Sequence, residues 1–177
     1  TMADLNNGIK TKVTTWRTKL EEKMGKLEAV YDYGQYMKLR FQGKKILYGV
    51  VKNDQFVKGI EGIPRTLYNI EAVKKAIKDN YAVYVVEGEK DVDTLKNFGY
   101  SATTAGGASD WKKEYAQYFR GARVVILPDN DDAGRKLCRR IQKDLKNIAS
   151  AIKIVQTSNA PKGDVTDYFN EGNSIKD

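Results

Sequence analysis

Histidine is absent from this 177-residue chain, and cysteine occurs once, as Cys138. The first absence excludes a Ser-His-Asp triad, a histidine general base and any imidazole metal ligand. The second excludes an internal disulfide and a four-cysteine zinc site, and a lone thiol fits a reducing, cytoplasmic compartment. With nitrogen and sulfur ligands removed, any metal must be held by oxygen, which selects Mg²⁺, Mn²⁺ or Ca²⁺ and leaves no zinc in this chain. Long apolar runs are missing too. Those over 81–86 and 124–127 are far short of the ~20 residues that span a bilayer, and no apolar segment near the start reads as a secretory signal. No membrane partner is expected. Neither an internal repeat nor a low-complexity tract is present.

What remains is charge and pattern. Charged residues make up 31% and hydrophobic residues 41% of the chain, the balance of a globular protein with room for one full domain and a smaller companion. The net charge of +8 is uneven. Residues 1–80 hold 16 Lys and Arg against 9 Asp and Glu, whereas residues 81–177 hold 15 against 14. A basic front half points to a polyanion such as nucleic acid, although a solvated surface carries charge just as well.

The front half reads as a helix followed by a small antiparallel lobe. Over 9–29, Val13, Trp16, Leu20, Met24 and Leu27 are spaced to form one apolar stripe. The runs YDYGQYMKLRF, KKILYGVV and QFVKGI are β-rich and are separated by QG and ND turn signals. A helix follows at about 70–78, with Asn80 as its stop. From residue 81 the texture alternates: apolar strands in YAVYVVEG, SATTA, ARVVILPD and AIKIVQT, with helices in DVDTLKNFG, SDWKKEYAQYF (Ser109 as N-cap) and DAGRKLCRRIQKDLKNI. That alternation calls for a mostly parallel, Rossmann-like α/β sheet with helices on both faces. The expected boundary falls near residue 80, between a basic lobe over 1–80 and a catalytic domain over 81–177.

Ligands bind such sheets beyond the carboxyl ends of the strands, and two strands here end in acids. YVVEGEKD places Glu87 at one tip with Glu89 and Asp91 behind it; VILPDNDDAG places Asp129, Asp131 and Asp132 at another. Clustered carboxylates repel unless a cation neutralises them, and a divalent metal with carboxylate and water ligands does so. Each acid also has a plainer use: Asp131 or Asp132 as a helix N-cap, Glu87 as the partner of a lysine.

Taken together, VVEGEKD, ILPDNDDAG and KGDVTDYF resemble the Toprim domain shared by bacterial and phage-type primases, topoisomerases and some nucleases, over roughly residues 82–172. The resemblance is strongest to the primase-like branch of phage and mobile-element primases and primase–helicases. It implies that Glu87 is the catalytic glutamate, also able to ligate metal, and that Asp129 and Asp131 bind Mg²⁺ or Mn²⁺. Asp164, after Lys162, fits a further acidic ligand, with Asp167 as a second; Glu89, Asp91 and Asp132 are supporting acids, and Lys162 is a candidate for phosphate contact. The implied reaction is synthesis of RNA primers on single-stranded DNA from nucleoside triphosphates during replication, in partnership with a fused or separate replicative helicase. A Toprim-type nuclease would use the same acids, and a non-catalytic nucleic-acid or helicase-docking module would keep only the fold. Primases of this kind carry a zinc module ahead of the catalytic part, which this composition cannot build. Either the chain is a fragment of a longer protein or its template recognition differs.

Three further features are readable. Gly106 and Gly107, in TTAGGASDW, form a flexible turn whose backbone N–H groups either meet a phosphate or simply turn the chain. Lys38, Arg40, Lys44 and Lys45 interleave with Tyr36, Phe41 and Tyr48. Strand alternation sets Lys38 and Arg40 opposite Met37, Leu39 and Phe41, a face suited to phosphates. Arg135, Lys136, Arg139, Arg140 and Lys143 read as a solvated helix face, Cys138 as a small core filler, and Trp16 and Trp111 as packing residues.

Overall fold

The computed structural model describes residues 16–157 and 163–175. Val13 of the expected N-terminal stripe and Lys162 lie outside the described residues. The chain divides into two compact units between Arg65 and Thr66.

The first unit opens with a helix over 16–24, α1. It stops at Gly25, whose φ of +91° suits a residue without Cβ. Leu27 therefore leaves the expected helical stripe: its amide donates to Glu21 Oε1 and it starts strand β1 (Leu27–Asp32). Strands β2 (Met37–Phe41), β3 (Lys45–Lys52) and β4 (Gln55–Lys58) complete an antiparallel meander in the order β1-β2-β3-β4. The run YDYGQYMKLRF is thus two strands rather than one. It folds back at Gly34, φ +88°, where Asp32 Oδ1 accepts from the Gly34 amide. Trp16, Leu27, Leu39 and Phe41 form the core of this unit.

In the second unit, α2 (Ile70–Lys78) precedes a four-stranded parallel sheet. Its strands are β5 (Val83–Val85), β6 (Ser101–Thr103), β7 (Arg123–Ile126) and β8 (Ala151–Ile154), ordered β6-β5-β7-β8. The helices α3 (Glu89–Asn97), α4 (Asp132–Leu145) and α5 (Val165–Asn170) link or follow them. One face carries Val83, Val85, Val124 and Ile126 against Leu137, Ile141 and Leu145 of α4. The other carries Tyr84, Val86 and Leu127 against Val92 and Leu95 of α3 and Phe169 of α5. Helices on both faces of a parallel sheet are as the apolar strand runs foretold. Helix α2 belongs here rather than to the front lobe, because Val73 and Ala76 sit in the core beneath the sheet; the division lies before that helix, not near residue 80.

The segment SDWKKEYAQYF is a 3₁₀ helix over Lys113–Phe119, with Lys112 at its N-cap and no side-chain cap. The expected α-helix capped by Ser109 does not form. Trp111 is buried, its Nε1 donates to Asp144 Oδ2, and its carbonyl accepts from Arg140 Nη2. With that carbonyl taken by a side chain, the helix begins only after it. Among the described residues no helix is long and apolar enough to cross a membrane.

Candidate functional site

The carboxyl ends of β5 and β7, neighbours in register, bring the two acidic tips together. Val86 donates to Thr103 O and Leu127 to Val85 O, extending the backbone pairing just past the strand ends. Beyond them the Glu87 carbonyl accepts from the Thr104 hydroxyl at 2.7 Å, and that same oxygen, Thr104 Oγ1, accepts from the Gly106 amide. A side chain thus takes over where the ladder ends. It also commits the Gly106 N–H within the turn, so this donor is not open to a phosphate. Gly107 closes the turn by accepting from the Asp110 amide.

Asp129 follows Pro128 at the tip of β7, and Asp131 caps α4. Asp131 Oδ1 accepts from the Gly134 amide at 2.7 Å. Asp131 is therefore a helix cap, the plainer of the two uses the sequence allows, but the cap occupies Oδ1 alone and leaves Oδ2 for other work. Gly134 explains the glycine of DxDxAG. A Cβ there would lie 2.3 Å from the Asp129 carbonyl oxygen, so α4 sits directly on the strand tip. Asp132 faces away: its side chain is 88% exposed and pairs with Arg135 at 2.7 Å.

Glu87 and Asp129 are the electrostatic centre. Glu87 Oε2 and Asp129 Oδ1 are buried with no hydrogen-bond donor to satisfy them. A proton shared between the carboxyls, a water or a cation would do so. Burial pushes the Asp129 carboxyl up to about 8, reinforced by the charges of Glu87 and Asp91 and by a hydrogen bond to Glu87. Glu87 is raised as well, first by burial and then by Asp131, while the hydrogen bond from Asp129 works the other way. Both carboxyls are thus pushed towards the protonated form by burial and by each other's charge.

Around this pair stand further acids. Asp91 is buried in the first turn of α3 and raised first by burial, then by Asp164. Its Oδ1 accepts from the amide and hydroxyl of Thr166. Asp164 caps α5 by accepting from the Asp167 amide at 2.8 Å. It is brought to the rim because Gly163 O accepts from the Asn130 amide. Glu89 is buried in the same turn as Asp91, whereas Asp167 is exposed on α5. Of the acids named from sequence, Glu87, Asp91, Asp129, Asp131 and Asp164 act on one another, and Asp132 and Asp167 point outward. Among the described residues, no three acids are drawn tightly enough to hold a metal as they stand.

Sequence reasoning missed Thr104 and Thr166. Thr166 had a signal: it is a polar residue three positions before Phe169, on the face that α5 buries. Thr104 had none beyond its place after a strand.

In the front unit, Lys38 does not line the open face expected of it. It is 5% exposed, paired across the sheet with Tyr31 and Tyr48, and 6.0 Å from the Tyr48 ring. The two large neighbours cover its stem. Arg40 is exposed and lies 3.8 Å from Glu28. Lys44 is exposed in a turn at φ +62°, and Lys45 Nζ donates to Met24 O. A cavity of ≈820 Å³ lies at the opposite, amino ends of the parallel strands, lined by Lys75, Tyr84, Arg123 and Lys153 among others, and holds none of the acids of the strand tips.

Comparison with known proteins agrees with this geometry. Residues 84–169 match the Toprim-like family. The chain is 33% identical over 110 residues to DNA primase DnaG of Aeropyrum pernix, covering 62% of this chain and 24% of that protein. Its fold is similar to a DnaG catalytic core, with a TM-score of 0.56 at 19% identity over 82% of this chain and 47% of the other. It is also similar to the Aquifex aeolicus primase comprising zinc-binding and RNA polymerase domains, with a TM-score of 0.52 at 16% identity over 87% of this chain and 43% of that one. The chain thus spans about a quarter of the curated relative and under half of each solved chain. Two acidic strand tips thus meet at the carboxyl rim of the β6-β5-β7-β8 parallel sheet, inside a Toprim-like segment over 84–169 that is similar to the DnaG primases.

Proposed function

We propose that this chain supplies the metal-dependent nucleotidyl-transfer site of a DNA primase, making RNA primers on single-stranded DNA from nucleoside triphosphates. One observation carries the reading: Glu87 Oε2 and Asp129 Oδ1 are buried without a hydrogen-bond partner at neighbouring strand tips, within the region that matches the Toprim-like family. Such oxygens are costly to keep in the charged form unless something positive faces them.

Oxygen donors and an orphaned buried pair fit a hard divalent cation. Mg²⁺ keeps several of its waters and needs only one or two carboxylates, so a loose arrangement of acids suits it. Asp129, Asp131 through its free Oδ2, and Asp164 are the residues that would hold Mg²⁺ or Mn²⁺. Once bound, the ion supplies positive charge at the phosphate oxygens. Glu87, raised towards neutrality, accepts the proton of the attacking 3′-hydroxyl. The oxygen then joins the α-phosphorus, the bond to the β-phosphate breaks, and pyrophosphate leaves. Arg40, Lys44 and Lys45 track template phosphates, in a cytoplasmic replication setting that includes a helicase.

The test is primer synthesis with labelled nucleotides on single-stranded DNA. Oligoribonucleotides that require Mg²⁺ or Mn²⁺ and vanish in Asp129→Asn support the reading. Strand scission without new oligonucleotides would assign a nuclease instead, and binding with neither product a docking module.

A further inference from the structure

Asp91 is an acid of the cleft whose neighbour is unexpected. It is 6% exposed, and its Oδ1 accepts twice from one residue: from the Thr166 amide at 3.2 Å and the Thr166 hydroxyl at 2.6 Å. The second bond has the length of a charge-assisted O–H···O⁻ contact. Thr166 is itself 4% exposed, and Thr94 Oγ1 of α3 lies 3.1 Å from the same hydroxyl. Helix α5 has six residues, too few to be stable alone. Its place depends on what grips it. Val165 and Phe169 pack apolar surface against the sheet, but apolar contacts are non-directional. The bonds to Asp91 fix rotation and register. Two residues earlier stands Asp164, and one residue before that Gly163 O is tied to the Asn130 amide of the other acidic loop.

We propose that Asp91 and Thr166 form a buried latch that docks α5 against α3 and so sets where Asp164 stands in the acidic cleft. Thr166 is then a positioning residue for the metal site, and Asp91 serves the latch rather than ligating the metal. The proposal rests on the metal reading above for its functional consequence, and on geometry alone for the latch.

Two measurements on the full chain separate these. The first is amide hydrogen exchange in metal-free buffer. Thr166→Val keeps the side-chain shape and deletes the hydroxyl; it should speed exchange across 165–170 by about tenfold or more while β5 and β7 keep their protection. Thr166→Ser should restore the parent rates, and Asp91→Asn, which retains an accepting Oδ1, should stay close to them. The second is Mn²⁺ affinity by electron paramagnetic resonance. Loss of an outer partner of a metal site weakens affinity roughly 10–100-fold. That is expected for Thr166→Val with rescue by Thr166→Ser, a pattern that general destabilisation would not give. Unchanged exchange across α5 in Thr166→Val overturns the latch. So does Asp91→Asn if it loses Mn²⁺ as completely as Asp131→Asn with α5 still protected, because Asp91 is then a ligand. Should the parent bind no Mn²⁺, the metal reading falls, and the exchange result alone decides the latch.

Discussion

At the scale of single residues, the acids divide by what their oxygens already do. Asp131 spends one oxygen on the α4 cap, and asparagine caps equally well. Asp131→Asn is therefore expected to match or exceed the parent in metal-free thermal stability while losing metal-dependent activity. Asp131→Ala should drop both, with about 1 kcal/mol for the lost cap. Thermal melts in chelator, run beside the primer assay, distinguish them. Asp129 makes a different prediction. Its folded carboxyl titrates near 8 against an ordinary value of 3.8, so between those limits the folded state holds a proton that the unfolded state has released. Stability of metal-free protein should therefore fall as pH rises from about 4 to 8. Asp129→Asn stays neutral, so its stability advantage over the parent should widen across that window. Denaturant titrations at pH 5 and pH 8.5 read the difference directly. If the gap narrows, the fold does not hold Asp129 in its protonated form.

At the scale of elements, strand β2 shows where pattern succeeds and where it stops. Alternation correctly sends Leu39 and Phe41 into the core and Lys38 and Arg40 to the other side. It cannot see that Tyr31 and Tyr48 flank Lys38 on both neighbouring strands, since that depends on register. The consequence is testable by salt dependence of single-stranded DNA binding. Replacing Arg40, Lys44 and Lys45 with alanine should flatten the slope of log K against log salt by up to about 2, at roughly 0.7 per phosphate contact. Adding Lys38→Ala should lower stability with little more effect on the slope. A slope equal to the parent's after the triple change would mark these cations as solvated. Local contacts escape pattern elsewhere too. The 3₁₀ segment over Lys113–Phe119 has helical spacing, but Trp111 just ahead of it is held by Arg140 and Asp144, distant in sequence. Thr104 carries no periodic signal and Thr166 only its spacing to Phe169, yet both hold the rim together.

At the scale of the whole molecule, the parallel unit was legible because its central strands β5 and β7 are covered on both faces and read as unbroken apolar runs, each leading to an acid. The strand order β6-β5-β7-β8 was not legible, and neither was the division at Arg65, because α2 looks alike whichever unit it joins until Val73 and Ala76 find their core. If the acidic rim binds Mg²⁺, a hundredfold excess over Kd adds about 2.7 kcal/mol to stability. The gain should be local. Exchange protection should rise at 86–92, 129–135 and 163–167 and not in β1–β4; uniform protection of both units would argue against a site at the rim. One feature of that rim also limits how such a chain can change in length. With α4 seated on the Asp129 carbonyl at Gly134, the link over 127–131 between β7 and α4 has little slack. Surface loops elsewhere absorb insertions readily. Here a single residue added between Asp129 and Gly134 would turn one aspartate away from the other, so this stretch should tolerate substitution far better than insertion or deletion.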